Sequence, residues 1–180
     1  MMLTRCLMAV LLAACWVSPA PADQNDRRLD RLFAQLQSTG DQAEAAAIQE
    51  SIWGLWFQSE DEAVTLWMGM GSMALNRGRY DMALAAFNRV VREAPEFAEG
   101  WNRRATIHYL MGSYAASVRD VERTLALEPR HFGALSGLGL INMRLGHDDR
   151  AIQAFRRALK VNPHLTGAKA NLEGLLGERI

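Results

Sequence analysis

One spacing recurs along the chain and limits the folds available to it, because matched residues return every 34 positions. The clearest columns are Trp67, Trp101 and Leu135; Gly78, Gly112 and Gly146; and Pro95, Pro129 and Pro163. The same spacing joins Gly71, Ala105 and Gly139; Ala83, Ser117 and Ala151; and Phe87, Val121 and Phe155. A repeat of this length without gaps predicts copies of one supersecondary unit, each burying its apolar face against its neighbours.

Within one unit, the residues follow the period of two helices. Trp67 and Gly71 lie four apart on one helical face, and the small residue allows the next helix to approach closely. Gly78 follows this first helix, where a left-handed residue ends a helix at low cost. Phe87 places a large side chain on the inner face of the second helix. Pro95 then closes the unit, because proline does not extend a preceding helix.

The motif Trp67–Gly71, Ala83, Phe87 and Pro95, with two further copies, resembles the tetratricopeptide repeat over residues 64–165. The resemblance implies an all-α, right-handed α-solenoid of helix-turn-helix repeats. We expect the three repeats to occupy residues 64–97, 98–131 and 132–165.

The segments that flank this array also have helical patterns. Residues 166–180 begin a fourth first helix with a polar outer side and predict a C-terminal capping helix. Residues 26–60 hold two apolar-periodic stretches, and we interpret them as a divergent N-terminal helical hairpin stacked on the array. We expect its Trp53, Trp56 and Phe57 to pack against the first repeat rather than to form a binding site.

The first 22 residues have the pattern of an export signal. Cys6–Val17 is almost continuously apolar, and its length of about 12 residues is too short for a permanent bilayer span. The small residues before Asp23 predict cleavage after Ala22 and a periplasmic or secreted protein, without a membrane span in the mature chain. Two alternatives remain. In the first, Leu12–Cys15 acts as the lipobox that it resembles, and Cys15 is lipidated and anchors the protein. In the second, the segment stays uncleaved.

The composition argues against several functional classes. Lys and Arg together number 20, as do Asp and Glu, so the basic surplus typical of nucleic-acid binding is missing. The histidines lack the spacing of a zinc site; they are His108, His131, His147 and His164. Neither a phosphate-binding loop nor a nucleophile with a credible base is recognisable. We therefore expect no catalytic residues, no metal, no cofactor and no enzymatic activity.

The resemblance implies a concave groove lined by the first helices of the repeats. Our candidate partner-binding groove comprises Met68, Ser72, Leu75, Asn102, Arg103, Thr106, Tyr109, Gly137, Leu140, Met143 and Arg144. Glu99, Gly133 and Ser136 lie on the same helix faces. Some family members clamp a partner's terminal carboxylate here with several basic and amide side chains. Of the matching positions only Arg103 is basic, so that clamp is absent.

An apolar strip containing methionines suits a partner helix or an extended peptide, and Arg103 and Arg144 are candidates to pair with acidic groups on it. The alternative is that a helix of the same chain fills the groove. The leading hypothesis is a periplasmic scaffold or adaptor that binds a peptide or helix of an envelope protein. The second is an outer-membrane assembly factor, similar to pilotin-like lipoproteins, anchored through Cys15. The oligomeric state is left open.

Overall fold

The computed structural model describes residues 23–177, which form nine α-helices and no strand within that range. Residues 1–22, on which the predicted export signal and Cys15 fall, lie outside the described residues. The helices are α1 Arg28–Ser38, α2 Gln42–Phe57, α3 Glu62–Asn76, α4 Tyr80–Glu93, α5 Ala98–Leu110, α6 Tyr114–Leu127, α7 Phe132–Arg144, α8 Asp148–Val161 and α9 Thr166–Gly177. The predicted all-helical repeat fold is confirmed.

The turn inside each repeat depends on its glycine. Gly78, Gly112 and Gly146 have φ angles of +69°, +75° and +69°, and in the described residues no other amino acid has a positive φ. A side chain is strained in this left-handed region, so glycine is the residue that ends α3, α5 and α7 most cheaply.

Small residues allow the two helices of a repeat to pack closely. A Cβ placed on Gly71 would lie 2.6 Å from the ring of Phe87, and one on Gly139 would lie 2.5 Å from the ring of Phe155. Both phenylalanines are fully buried. Each aromatic ring therefore fills the space that a side chain on the facing helix would need, which explains why these two columns recur together.

The N-terminal hairpin, α1 with α2, does not stack on the array as a further repeat. Its α2 packs against α5, and the apolar core between α1 and α2 is completed by Phe132 at the start of α7. The rings of Trp53 and Trp56 lie 5.3 and 5.1 Å from the ring of Phe132. Phe57 does contact the core of the first repeat.

The expectation that Trp53 and Trp56 pack against the first repeat is therefore wrong. The third repeat accepts them because Phe132 offers an aromatic surface and Gly133 leaves space where other residues would have a side chain. The outer face of α3, in contrast, stays exposed at Leu66, Met70 and Met73.

Polar contacts hold the hairpin and the residues just before it against three separate parts of the array. The side chain of Gln24 donates to the carbonyl of Glu96 at 2.6 Å and accepts the amide of Ala98 at 3.3 Å, where α5 begins. An ion pair of 2.7 Å joins Asp30 to Arg130. The Nε2–H of His164 donates to the carbonyl of Leu36 at 3.1 Å, which satisfies a backbone acceptor at the end of α1. Residues far apart in sequence thus hold α1 and α2 over the concave side.

Candidate functional site

A pocket of about 210 Å³ opens on the concave side between α5 and α7. Its walls include five of the predicted groove residues, namely Asn102, Thr106, Tyr109, Gly137 and Leu140. The periodicity of the two helices explains the arrangement, since each contributes residues three or four apart to the same side. Most of the exposed wall is apolar.

A second pocket of about 300 Å³ adjoins the first and is bounded by α2, α7 and α9. Ser136 and Leu140 line both pockets. The Ser136 hydroxyl is shielded from solvent and has no hydrogen-bond partner among the described residues.

Arg144 stands at the edge of the first pocket. Its Nε–H donates to the Tyr109 hydroxyl at 3.2 Å. This hydrogen bond raises the pKa of Arg144 above its ordinary value. The guanidinium is exposed and keeps its charge, so the groove has one cation that faces solvent beside an aromatic wall.

Arg103, the other predicted cation, belongs to a buried polar network. Its Nε–H donates to one carboxylate oxygen of Glu99, and the amide of Asn102 donates to the other oxygen at 2.8 Å. The guanidinium also lies 5.9 Å from the ring of Trp53 and 5.3 Å from that of Phe57. Its charge is thus compensated inside the chain.

His131 completes this network under the hairpin. Its Nδ1 accepts the amide of Ala134 as an N-cap of α7, so its Nε2 carries the proton donated to Glu99 over 3.0 Å. The ring of Trp56 stacks on it at 4.1 Å with an interplanar angle of 10°. The pattern of histidine spacing in the sequence predicted no such role. The sequence indicates an N-capping role for His131 only by its position directly before a predicted helix, which is weak evidence.

Burial by itself would raise the pKa of Glu99, but the hydrogen bond from His131 and the charge of Arg103 outweigh it and lower that pKa. Glu99 and His131 are both completely enclosed. A carboxylate in this position stays ionised at neutral pH and holds α5 to the start of α7.

Trp53 occupies the end of the groove next to this network. A Cβ built on Gly133 would lie 2.5 Å from Cη2 of Trp53, so the indole rests directly on the glycine backbone. A helix of the same chain therefore fills this end of the predicted groove, while the end at Tyr109, Gly137 and Leu140 remains open.

The first repeat contributes less than predicted. Met68 was expected to face a partner, but its side chain is completely buried with Val64 and Phe87 in the core of that repeat. Leu75 is half-buried against the same core, and the Ser72 hydroxyl is shielded. Met143, in the third repeat, packs against the core between α8 and α9. The repeat period places these residues on the correct helices, but packing decides which of them reach the surface.

Two structural findings concern other classes of site. Between Asp23 and Gly177, no group of three or more His, Cys, Asp or Glu side chains is arranged to hold a metal ion. Over the same range, none of the helices combines the length and apolar character that crossing a bilayer requires.

Paired antiparallel helices stacked with a 34-residue period, and a concave pocket on their first helices, define a helical-repeat protein. Residues 57–98, 68–123 and 102–165 match the family described as Tetratricopeptide repeat. These matches cover more than half of the chain, and the protein belongs to the tetratricopeptide repeat family.

Named relatives agree with this assignment. A TPR repeat-containing protein of Rhizobium etli is 38% identical over 137 residues, which are 76% of this chain and 67% of the relative. Protein CTR9 homolog of Arabidopsis thaliana is 34% identical over 98 residues, 54% of this chain but only 9% of that longer protein. The first TPR of Spaghetti (RPAP3), solved bound to the HSP90 peptide SRMEEVD, superposes with a TM-score of 0.64 at 18% identity. That superposition covers 66% of this chain and 94% of the other, and it shows a shared fold.

Proposed function

We propose that this protein is an exported scaffold that binds a peptide or helix of an envelope protein in the open part of its concave groove. The observation that carries the proposal is the apolar pocket between α5 and α7, which stays open although α2 occupies the adjoining end of the groove. The contact between Trp53 and Gly133 illustrates how the groove binds an apolar side chain, which packs directly on the backbone of α7.

The chemistry of the pocket describes its ligand. An apolar side chain fits between Tyr109 and Leu140, because the exposed wall of the pocket is mostly apolar. Arg144 is placed to attract an acidic residue on the same ligand, because its charge faces solvent. Arg103 does not serve this purpose, since Glu99 already neutralises it.

The similarity to a tetratricopeptide domain solved with a bound peptide supports peptide binding as the mode of action. The present chain differs in the residues around its groove. With one solvent-facing arginine at the pocket edge, we expect it to recognise an apolar residue flanked by acidic ones, not a terminal carboxylate held by several cations.

Export and an envelope partner are proposed from residues 1–22, which combine an apolar stretch with small residues before Asp23. The alternative, a lipid-anchored assembly factor, is proposed from Leu12–Cys15. Mass spectrometry of the mature N-terminus separates the two. A free amine on Asp23 supports the soluble scaffold, whereas diacylglycerol on Cys15 supports the anchored factor.

Filling the pocket tests the groove itself. A Cβ on Gly137 meets no atom within 4 Å, so Gly137→Leu should place its side chain in the pocket with room at the Cβ, and leucine is the better helix former. We expect this variant to recover at least about tenfold less of the partner from an envelope extract, measured by quantitative mass spectrometry. Gly174→Leu in α9 is the matched control, because it makes the same change in a helix at a site equally free of neighbours. Equal recovery by wild type and Gly137→Leu would remove the groove from the proposal.

A further inference from the structure

The outer face of α3 is an apolar surface that residues 23–177 leave uncovered. Leu66, Met70 and Met73 are 61%, 47% and 54% exposed, and they lie on one side of the helix at spacings of four and three residues. Contiguous exposed apolar residues of this size usually mark an interaction surface, whereas isolated ones need no explanation.

The repeat itself shows what such a surface normally does. Thirty-four residues after Leu66 stands Gly100, where a Cβ would lie 2.5 Å from Val90 of the preceding helix α4. Thirty-four residues after Met73 stands Ile107, which is completely buried. In the third repeat the equivalent positions, Ala134 and Ile141, are buried as well. This face is therefore an internal packing face in the second and third repeats.

In the first repeat the preceding helix does not pack on this face. The helix that precedes α3 in sequence is α2, and α2 lies across α5 and the start of α7 instead. The solenoid consequently ends in an apolar face at α3, whereas the ends of soluble repeat arrays are ordinarily polar.

The charges at the two ends of α3 indicate what covers this face. Glu62 precedes it and Arg77 follows it on the same side of the helix as Leu66, Met70 and Met73, and no residue between them is charged. Neither charged side chain makes an ion pair within residues 23–177. The outer face of α3 is thus apolar in the middle, acidic at its N-terminal end and basic at its C-terminal end.

The outer face of α3 is therefore complementary to the same face of a second copy whose α3 runs in the opposite direction. We propose that two copies of the chain associate through α3 in an antiparallel arrangement about a two-fold axis. Glu62 of one copy then faces Arg77 of the other, Leu66 faces Met73, and Met70 crosses the axis beside Gly69. Such an interface is isologous and closes as a dimer. Antiparallel α3 helices also place opposite dipole ends together, which favours the pairing.

Sedimentation velocity across a range of protein concentrations tests the dimer. We expect wild type to be dimeric, and Met70→Asp, which puts two carboxylates at the axis, to raise the dimer dissociation constant at least about tenfold. Leu145→Asp is the matched control, since Leu145 is 42% exposed at the far end of α7 and should leave the dimer unchanged. Far-UV circular dichroism checks that all three proteins remain folded. A monomeric wild type, or a dimer unaffected by Met70→Asp, overturns the proposal.

Charge reversal tests the antiparallel orientation. Glu62→Arg and Arg77→Glu should each weaken self-association by roughly tenfold at low salt, because both ends of the dimer then bring like charges together. Mixing the two variants in equal amounts should restore dimers, since both ends of the mixed dimer pair opposite charges. Recovery only in the mixture, or in the double variant, supports the arrangement. A mixture that stays as weak as the single variants refutes it.

Discussion

The close contact between the Trp53 ring and Gly133 can be tested by adding one methyl group to Gly133. In Gly133→Ala the new Cβ would lie 2.5 Å from Cη2 and 3.0 Å from Cζ2 of Trp53, whereas carbon atoms in good contact lie about 3.5–4.0 Å apart. The indole has little space to retreat, because Trp56 and Phe132 each pack edge-to-face against it with ring centroids 5.3 Å away.

The expected magnitude combines two opposing effects. Forcing extra volume into a packed site usually costs about 1–3 kcal/mol of unfolding free energy. Replacing glycine by alanine in a helix returns at most about 1 kcal/mol, and less in the first turn, where Gly133 lies. We therefore expect Gly133→Ala to destabilise the protein by about 1–2 kcal/mol.

Gly137→Ala is the matched control for this change. It lies four residues further along the same helix and meets nothing within 4 Å, so it should stabilise the protein by about 0.5–1 kcal/mol. Urea unfolding followed by circular dichroism measures both variants. In a Trp53→Ala background, Gly133→Ala should no longer destabilise, because the two nearest atoms, both of the Trp53 ring, are gone. If Gly133→Ala were as stabilising as Gly137→Ala in the wild-type background, the close contact and the position of α2 would be wrong.

Three ion-paired carboxylates, two of them buried and one exposed, give further predictions. Glu99→Gln should lower the unfolding free energy by about 3 kcal/mol at neutral pH. Because folding lowers the pKa of Glu99, its stabilisation is complete above the unfolded value of 4.5 and is lost as the pH falls through the folded pKa. Urea titrations of wild type and variant should therefore converge in acid, and a constant difference would contradict this. Asp120→Ala removes two 2.7 Å contacts to the mostly buried Arg104 and should cost about 3 kcal/mol by urea unfolding. Glu96→Ala, which removes a largely exposed partner of Arg123, should cost less than about 1 kcal/mol; equal losses would contradict the role of burial.

Features that depend on neighbours within one repeat were predictable from the sequence. The 34-residue period predicted the helix pairs, and the glycine column predicted the left-handed turns, because a positive φ is a local property of one residue. The pairing of Gly71 with Phe87 was also predictable, since both residues recur together and the turn between them is short.

The partner-binding role of the candidate groove stays a prediction, but the structure shows where its residues lie. Asn102, Thr106 and Tyr109 line one pocket, because the repeat register places them on the same side of α5. The burial of Met68 and the engagement of Arg103 by Glu99 were missed. Both depend on which side chains from elsewhere in the chain lie against them, and helical period does not contain that information.

The location of the N-terminal hairpin shows the limit of sequence reasoning most clearly. Helical period predicted α1 and α2 and the apolar sides that they bury, but either end of the array or its concave face offers apolar surface to such a hairpin. Long-range contacts decide between these locations, notably Trp56 on His131, Trp53 on Gly133 and His164 with the carbonyl of Leu36.

The sequence alone thus determined the repeat, its turns and the helices that carry the groove, because these follow from residues within one or two helical pairs. Only the tertiary structure decided which part of the groove stays open and that the part of the chain from Asp23 to Gly177 leaves the outer face of α3 exposed. Both outcomes have one physical cause, because α2 packs against Phe132 at the start of α7 rather than beside α3.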